Sequence, residues 1–191
     1  MSYIPRSISV GDIIPTNNCG DIRIVEYKNA KHITVEFLNT GSLKVVKASS
    51  IKAGKVEDKM KPTFMGVGCI GEGNHPTRIN GKVTREYSAW SNMIRRVYGN
   101  HPKYASYKDC TIHPLWLNFS TFCDTLPQLI GYAEWKSNEK ECALDKDVLF
   151  IGNKEYGPFT CMFVDAALNS LESNIRRWRK EHADKVEGEA K

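Results

Sequence analysis

The strongest constraint on how this chain folds is the period of its N-terminal stretch. From Val10 to Ile51 apolar and polar residues alternate in short runs, separated by Gly11-Asp12, Asn17-Asn18-Cys19-Gly20-Asp21, Lys28-Asn29-Ala30-Lys31 and Asn39-Thr40-Gly41. Side chains that alternate with period two stand on opposite faces of a strand, and Asn, Asp and Gly adopt the turn conformations that join strands. Ile22, Ile24 and Glu26 fall on one face of one strand, Ile33, Val35 and Phe37 on one face of the next, and Leu43, Val45 and Lys47 follow the same rule. A small antiparallel sheet or SH3-like barrel is expected over residues 1–58. Ala48 to Gly54 reads as a helical turn closed by glycine, and the charged stretch 55–62 as a link between two modules.

After that stretch the period changes to that of helices. Thr84 is placed to cap a helix running to Tyr98, in which Tyr87, Trp90, Ile94 and Val97 recur at helical spacing and Gly99 supplies the stop. A strand is expected at Asp109 to His113, a helix from Asn118 to Leu126, and a last helix begun by Asp165 and carrying Leu168, Leu171, Ile175 and Trp178. Trp116 and Trp135 read as core residues. The glycine spacing at 66–73 imitates a dinucleotide-binding fingerprint, but no long apolar strand precedes it and no helix opens at its end, so that reading is rejected. The fold class expected is α+β, with a β module over 1–58, a mixed helix and strand module over 59–183, and a flexible tail at 184–191.

Charge matters only when it is divided along the chain. The 191 residues carry 27 Lys and Arg against 22 Asp and Glu, a net +5. Residues 1–80 contribute +4, 81–108 contribute +5, 109–175 contribute −6 and 176–191 contribute +2. In the 81–108 segment Lys82, Arg85, Arg95, Arg96, Lys103 and Lys108 stand among Tyr87, Trp90, Tyr98, Tyr104 and Tyr107, a mixture suited to phosphate contacts and packing against a nucleic acid. The same residues also suit an amphipathic helix with a solvated face. Six widely spread cysteines form no CxxC pair, and five histidines show no zinc-finger spacing, so neither a disulfide framework nor a structural zinc site is expected. No apolar run approaches the length of a membrane span and no leader pattern opens the sequence, so a cytoplasmic protein with no membrane association is expected.

Two groups of residues taken together are more specific. Tyr87-Ser88-Ala89-Trp90-Ser91-Asn92-Met93-Ile94-Arg95-Arg96-Val97-Tyr98 is followed by Tyr107-Lys108-Asp109-Cys110 and Trp116-Leu117-Asn118-Phe119. Leu144-Asp145-Lys146-Asp147 is then followed by Gly152-Asn153-Lys154, Tyr156-Gly157-Pro158, Thr160-Cys161 and Asn169. Over roughly residues 60–172 this resembles the phage-encoded HNH and homing-endonuclease-like proteins, with Val97 where those proteins usually have cysteine. The resemblance implies a His-Me finger (HNH) relationship for the second module and double-stranded DNA as partner. It departs at the chemistry, because the acid motif contains no histidine to act as the first general base.

What the resemblance implies for sites is therefore a degenerate nuclease centre. Asp145 and Asp147 are the candidate catalytic residues, with His113 approaching from the preceding strand as a base. Asp145, Asp147, Asn153 and Asn169 are the candidate ligands of a Mg²⁺ ion if the protein cleaves DNA. The two aspartates equally suit a structural role, bracketing a strand end and capping the turn to Gly152-Asn153. Arg85, Arg95, Arg96, Lys103, Lys108, Arg176, Arg177, Arg179 and Lys180 are the candidate DNA contacts. Three functions are expected to compete: a sequence-selective DNA-binding regulator or weakened nuclease, an active Mg²⁺-dependent endonuclease, and a protein-interaction module using the N-terminal sheet.

Overall fold

The structure, a computed structural model, describes residues 7–137, 141–165, 167–171, 174–175, 177–179 and 182. The chain divides into two compact units, Met1–Glu72 and Gly73–Lys191.

In the first unit four strands, β1 (Ile13–Pro15), β2 (Asp21–Asn29), β3 (His32–Phe37) and β4 (Leu43–Val46), form an antiparallel sheet in sequence order. Among the described residues β1 and β4 each pair on one side only, so the sheet these four strands form is open rather than closed into a barrel. Across β2 and β3, Ile22 faces Phe37 and Ile24 faces Val35. Those four, with Ile14, Ile33, Ile51 and Val56, form the core of the unit. The expected inward face of β4 is corrected by register. Val35 pairs with Lys44 and Ile33 with Val46, so Lys44 and Val46 share the buried face while Leu43 and Val45 lie 61% and 59% exposed. Paired residues of neighbouring strands project to the same side, which leaves β4 no choice once Ile33 and Val35 are inside. Helix α1 (Ala48–Lys52) ends at Gly54 with a positive φ, as its sequence requires. The stretch 55–62 is part of this unit: Val56 and Asp58 are buried, and the Asp58 carboxylate accepts hydrogen bonds from Thr40 Oγ1 at 2.6 Å, Ser42 Oγ at 2.9 Å and the Met60 amide at 2.9 Å.

The second unit starts with a two-stranded hairpin, β5 (Arg78–Ile79) and β6 (Lys82–Val83), turned by Asn80-Gly81 with positive φ at both residues. Helix α2 (Arg85–Tyr98) follows immediately, with Thr84 Oγ1 accepting from the Tyr87 amide and Gly99 at the C-cap, as the sequence predicts. After a 3-10 turn at Pro102–Tyr107 come β7 (Thr111–Ile112), α3 (Pro114–Leu117), α4 (Phe119–Thr125), a second 3-10 turn at Leu126–Gln128, α5 (Tyr132–Ser137), β8 (Cys142–Asp145), β9 (Glu155–Tyr156) and β10 (Met162–Asp165). β7 pairs in parallel with β9, and β8 pairs antiparallel with β10. Residues 167–171 are helical, and the Asp165 carboxylate accepts from the Leu168 amide at 2.8 Å.

The core of this unit is built on tryptophan. Trp90, Trp116, Phe119 and Phe122 are fully buried, each contributing on the order of 2–3 kcal/mol of apolar transfer energy. Their polar atoms are satisfied in series: the Trp90 indole N–H donates to the Trp116 carbonyl at 2.8 Å, and the Trp116 indole N–H donates to Thr125 Oγ1 at 2.9 Å. Together with contacts from α2 to β7 and to the 3-10 turn at Pro102–Tyr107, this chain of bonds fixes α2, the helix that carries Arg85, Arg95 and Arg96. Gly131 has a positive φ and lies against the Phe163 backbone, so no larger residue fits where α5 meets β10.

Candidate nucleic-acid interface

The cations of α2 separate into two sets because consecutive helix positions are about 100° apart. Arg95 points to solvent and donates to Ser91 Oγ at 3.4 Å and Asn92 Oδ1 at 3.3 Å on its own helix. Lys82 on β6, Lys103 in the 3-10 turn and Lys108 after it are also exposed. Lys103 Nζ lies 4.9 Å from the centre of the Tyr104 ring, and His101 begins that turn by accepting the Lys103 amide on Nδ1 at 3.2 Å. Glu86, the acid of the 81–108 segment, is turned onto Lys136. Burial raises the Glu86 pKa, but the hydrogen bond and charge of Lys136, a backbone hydrogen bond and the charge of Arg85 together outweigh it and hold the carboxyl below its ordinary value. Among the described residues no carboxylate lies within ion-pair distance of Lys82, Lys103 or Lys108.

Arg85 and Arg96 are recessed instead. Arg85 and Arg96 line, with Ser88 and Asn92 of the same helix stripe, a cavity of about 250 Å³ between α2, α5 and β8. The Arg85 guanidinium lies 4.9 Å above the Trp135 ring, which also stacks on Phe163 at 4.4 Å and contacts Tyr132 at 5.9 Å between ring centres. Arg96 also opens onto a second cavity of about 200 Å³, which Tyr107, Asp145, Lys146, Asp147, Lys154, Tyr156 and Asn169 help to line. There its guanidinium donates to the Tyr156 hydroxyl and lies 5.8 Å from the Tyr107 ring centre. Burial opposes the charge on Arg96, but the Tyr156 hydroxyl more than offsets it, so the guanidinium stays protonated. Burial likewise pushes the Tyr156 hydroxyl pKa up, so Arg96 faces a neutral phenol rather than an anion.

The second cavity gathers Asp145, Asp147 and Asn169 but not His113 or Asn153. Asp145 closes β8, and its Oδ1 accepts from the amides of Asp147 at 2.7 Å and Val148 at 2.9 Å. Asp147 is buried, and its carboxylate takes a 2.7 Å ion pair from Lys146 Nζ, itself 4% exposed and 5.6 Å from the Tyr156 ring centre. Asn153 ties the turn together: its amide donates to the carbonyls of Lys146 at 2.9 Å and Glu155 at 2.7 Å, and its Oδ1 accepts from the Glu155 amide at 3.1 Å. His113 starts α3, with Nδ1 accepting from the Leu115 amide at 3.3 Å and its ring against Phe159.

This donor set does not fit a divalent cation. A lysine ammonium already sits on Asp147, Asp145 Oδ1 is taken by two backbone amides, Asn153 donates both amide hydrogens to the backbone and accepts from it, and no group of three or more His, Cys, Asp or Glu side chains able to hold a metal exists among the described residues. No step is therefore derived through Mg²⁺. Lys146 is the residue at this site whose part motif reasoning passed over: it is the buried partner of Asp147. Its signal was a single lysine flanked by two aspartates and then by Leu144 and Val148, a charged triplet in an apolar run that can be buried only if it neutralises itself.

Of the C-terminal cations, Arg177 and Arg179 are exposed, whereas Arg176 and Lys180 lie outside the described residues, as does the 184–191 tail. No helix among the described residues is long and apolar enough to cross a membrane. No family model, curated protein or solved structure matches the chain.

Proposed function

We propose that this chain is a sequence-selective binding protein for double-stranded DNA, acting as a regulator through the exposed cations of residues 82–108. The observation that carries the reading is the disposal of charge in that segment: its acid is folded away onto Lys136, while Lys82 stands exposed before α2 and Lys103 and Lys108 stand exposed after it, near Tyr98, His101 and Tyr104. Those rings and Lys108 line an open groove of about 590 Å³ at the C-terminal end of α2. Phosphate contacts from such residues give affinity that falls as counterions are restored, and base-edge contacts add selectivity. The HNH-like ancestry proposed for the second unit is compatible with lost cleavage, because Lys146 takes the place that a metal would need. Equilibrium binding to a random duplex at several salt concentrations tests the proposal. Lys103→Gln and Lys108→Gln should each flatten the log–log salt dependence by about one unit. A protein that forms no salt-sensitive duplex complex refutes it.

A second reading has one observation in its favour. β4 is an edge strand whose outer face carries Leu43 and Val45, both exposed, which suits addition of a partner strand to the N-terminal sheet. A protein partner captured from nuclease-treated lysate and lost in Leu43→Lys supports it.

A further inference from the structure

A half-buried guanidinium without a counter-ion is costly unless something supplies the negative charge. The second unit has two of them on one stripe of α2. Arg85, Ser88, Asn92 and Arg96 follow one another at three-, four- and four-residue steps, which keeps them on one side of the helix over a rise of roughly 16 Å. All four line the 250 Å³ cavity, and no acidic side chain lines it. Arg85 Nη1 is buried and makes no hydrogen bond. Its guanidinium carbon lies 4.9 Å above the Trp135 ring, a cation–π contact that occupies none of its hydrogen-bond donors. Arg85 is also the first residue of α2, where the helix dipole disfavours a cation and favours an anion. The hydroxyl of Ser88 and the amide of Asn92 supply neutral donors between the two arginines. From Arg96 the cavity wall continues through Ala143 and Leu144 into the second cavity, where Lys154 adds a cation and Asp145 an acid beside the Lys146–Asp147 pair.

We propose that this recess is a phosphate-binding site, separate from the exposed basic face, and that it takes two linked or successive phosphate groups. The volume decides against a duplex. A cavity of about 250 Å³ has no room for a double helix that is on the order of 20 Å across, whose phosphates are held on the outside of that cylinder. A diphosphate, or one strand entering by its phosphates, has the right size and charge. Contact between each guanidinium and a phosphate neutralises both arginines. The proposal stands apart from duplex binding, since it uses Arg85 and Arg96 and not Lys103 or Lys108.

The test is titration of the full chain, at constant ionic strength, with pyrophosphate and separately with a single-stranded oligonucleotide carrying a 5′-phosphate. Saturable binding of at least one probe is expected. Arg85→Gln should weaken it at least tenfold, and the Lys103→Gln, Lys108→Gln pair should leave it within twofold. Arg96→Gln should act like Arg85→Gln. Because Arg96 also anchors Tyr156, thermal melting of each variant accompanies the titration, and Arg85→Gln, which breaks no hydrogen bond at Nη1, decides the matter if the Arg96 variant unfolds. An oligonucleotide that binds at least tenfold more tightly than pyrophosphate identifies a nucleic-acid strand as the source of the phosphates, and equal or weaker binding identifies a free diphosphate. Absence of saturable binding by either probe, or an Arg85→Gln protein that binds as the wild type does, overturns the proposal. The duplex titration can succeed or fail independently of both results.

Discussion

The Lys146–Asp147 pair offers the sharpest test of how the acid motif is used. Lys146 Nζ and Asp147 Oδ2 are 2.7 Å apart, with side chains only 5% and 10% exposed. Breaking a buried pair by removing one partner leaves the other charge desolvated and uncompensated, which costs about 3–5 kcal/mol, whereas replacing both with apolar groups of similar volume is nearly neutral. Lys146→Met and Asp147→Leu should therefore each lower the Tm by on the order of 10–20 °C. The double variant should recover most of that loss and lie within about 2 kcal/mol of the wild type. Urea denaturation of the four proteins completes a double-mutant cycle, in which a coupling free energy of several kcal/mol is expected. Single losses below about 1 kcal/mol, the level of an exposed pair, would refute the account. So would a rise in the wild-type Tm on adding Mg²⁺, because ligand binding to the folded state stabilises it by mass action and would mean that a metal displaces Lys146.

Two further outcomes follow from the same unit. Thr84→Ala removes the acceptor for the Tyr87 amide and the hydroxyl that donates to the Pro76 carbonyl at 3.0 Å, so α2 and the hairpin before it should lose about 1 kcal/mol in urea denaturation; no change would mean that neither bond contributes. Burial pushes the thiols of Cys123 and Cys161 up to about 12 from an ordinary 9.0. The fold therefore favours their neutral forms, and the linked stability is complete below pH 9 and drains away between pH 9 and 12. Cys123→Ala and Cys161→Ala should each flatten the decline in unfolding free energy measured between pH 8 and 11, and variants that decline as steeply as the wild type would contradict it.

Local features of this sequence were legible wherever a backbone rule acted alone. Thr84 and Gly99 bracket α2, Gly54 closes α1, and Asn118 caps α4 by accepting the Ser120 amide at 2.9 Å, all from signals contained within a few residues. What was hidden depended on a neighbour distant in sequence. The face of β4 followed from its register with β3 and not from its own alternation, since Leu43 and Val45 obey period two as faithfully as Lys44 and Val46. Residues 55–62 read as a link because they are charged, yet Asp58 is held inside by Thr40 and Ser42 from a different turn. Asp145 and Asn153 lay within reach of two explanations, a metal site and a turn, and their hydrogen bonds to local backbone carry the second.

The division of charge along the chain also changes meaning once the side chains are placed. The −6 of residues 109–175 reads as an anionic block opposed to the basic segment, but several of its acids are committed to local tasks. Asp124 takes His75 at 2.7 Å, Asp145 holds a turn, Asp147 takes Lys146 and Asp165 caps the helix after β10. Of these, only the pairing with Lys146 cancels a full unit of charge; the amide-bound carboxylates keep theirs, with one oxygen of each held by backbone amides. Their field is screened beyond about 8 Å at physiological ionic strength. The cations of 82–108 are less committed: Lys103 and Lys108 stand in solvent, Arg85 turns into a recess with no acid in its wall, and Arg96 lies between that recess and the cavity that Asp145 and Asp147 help to line. A polyanion at contact range therefore meets more positive charge than the net +5 implies, and lowering the salt should strengthen its binding before the acids of 109–175 are felt.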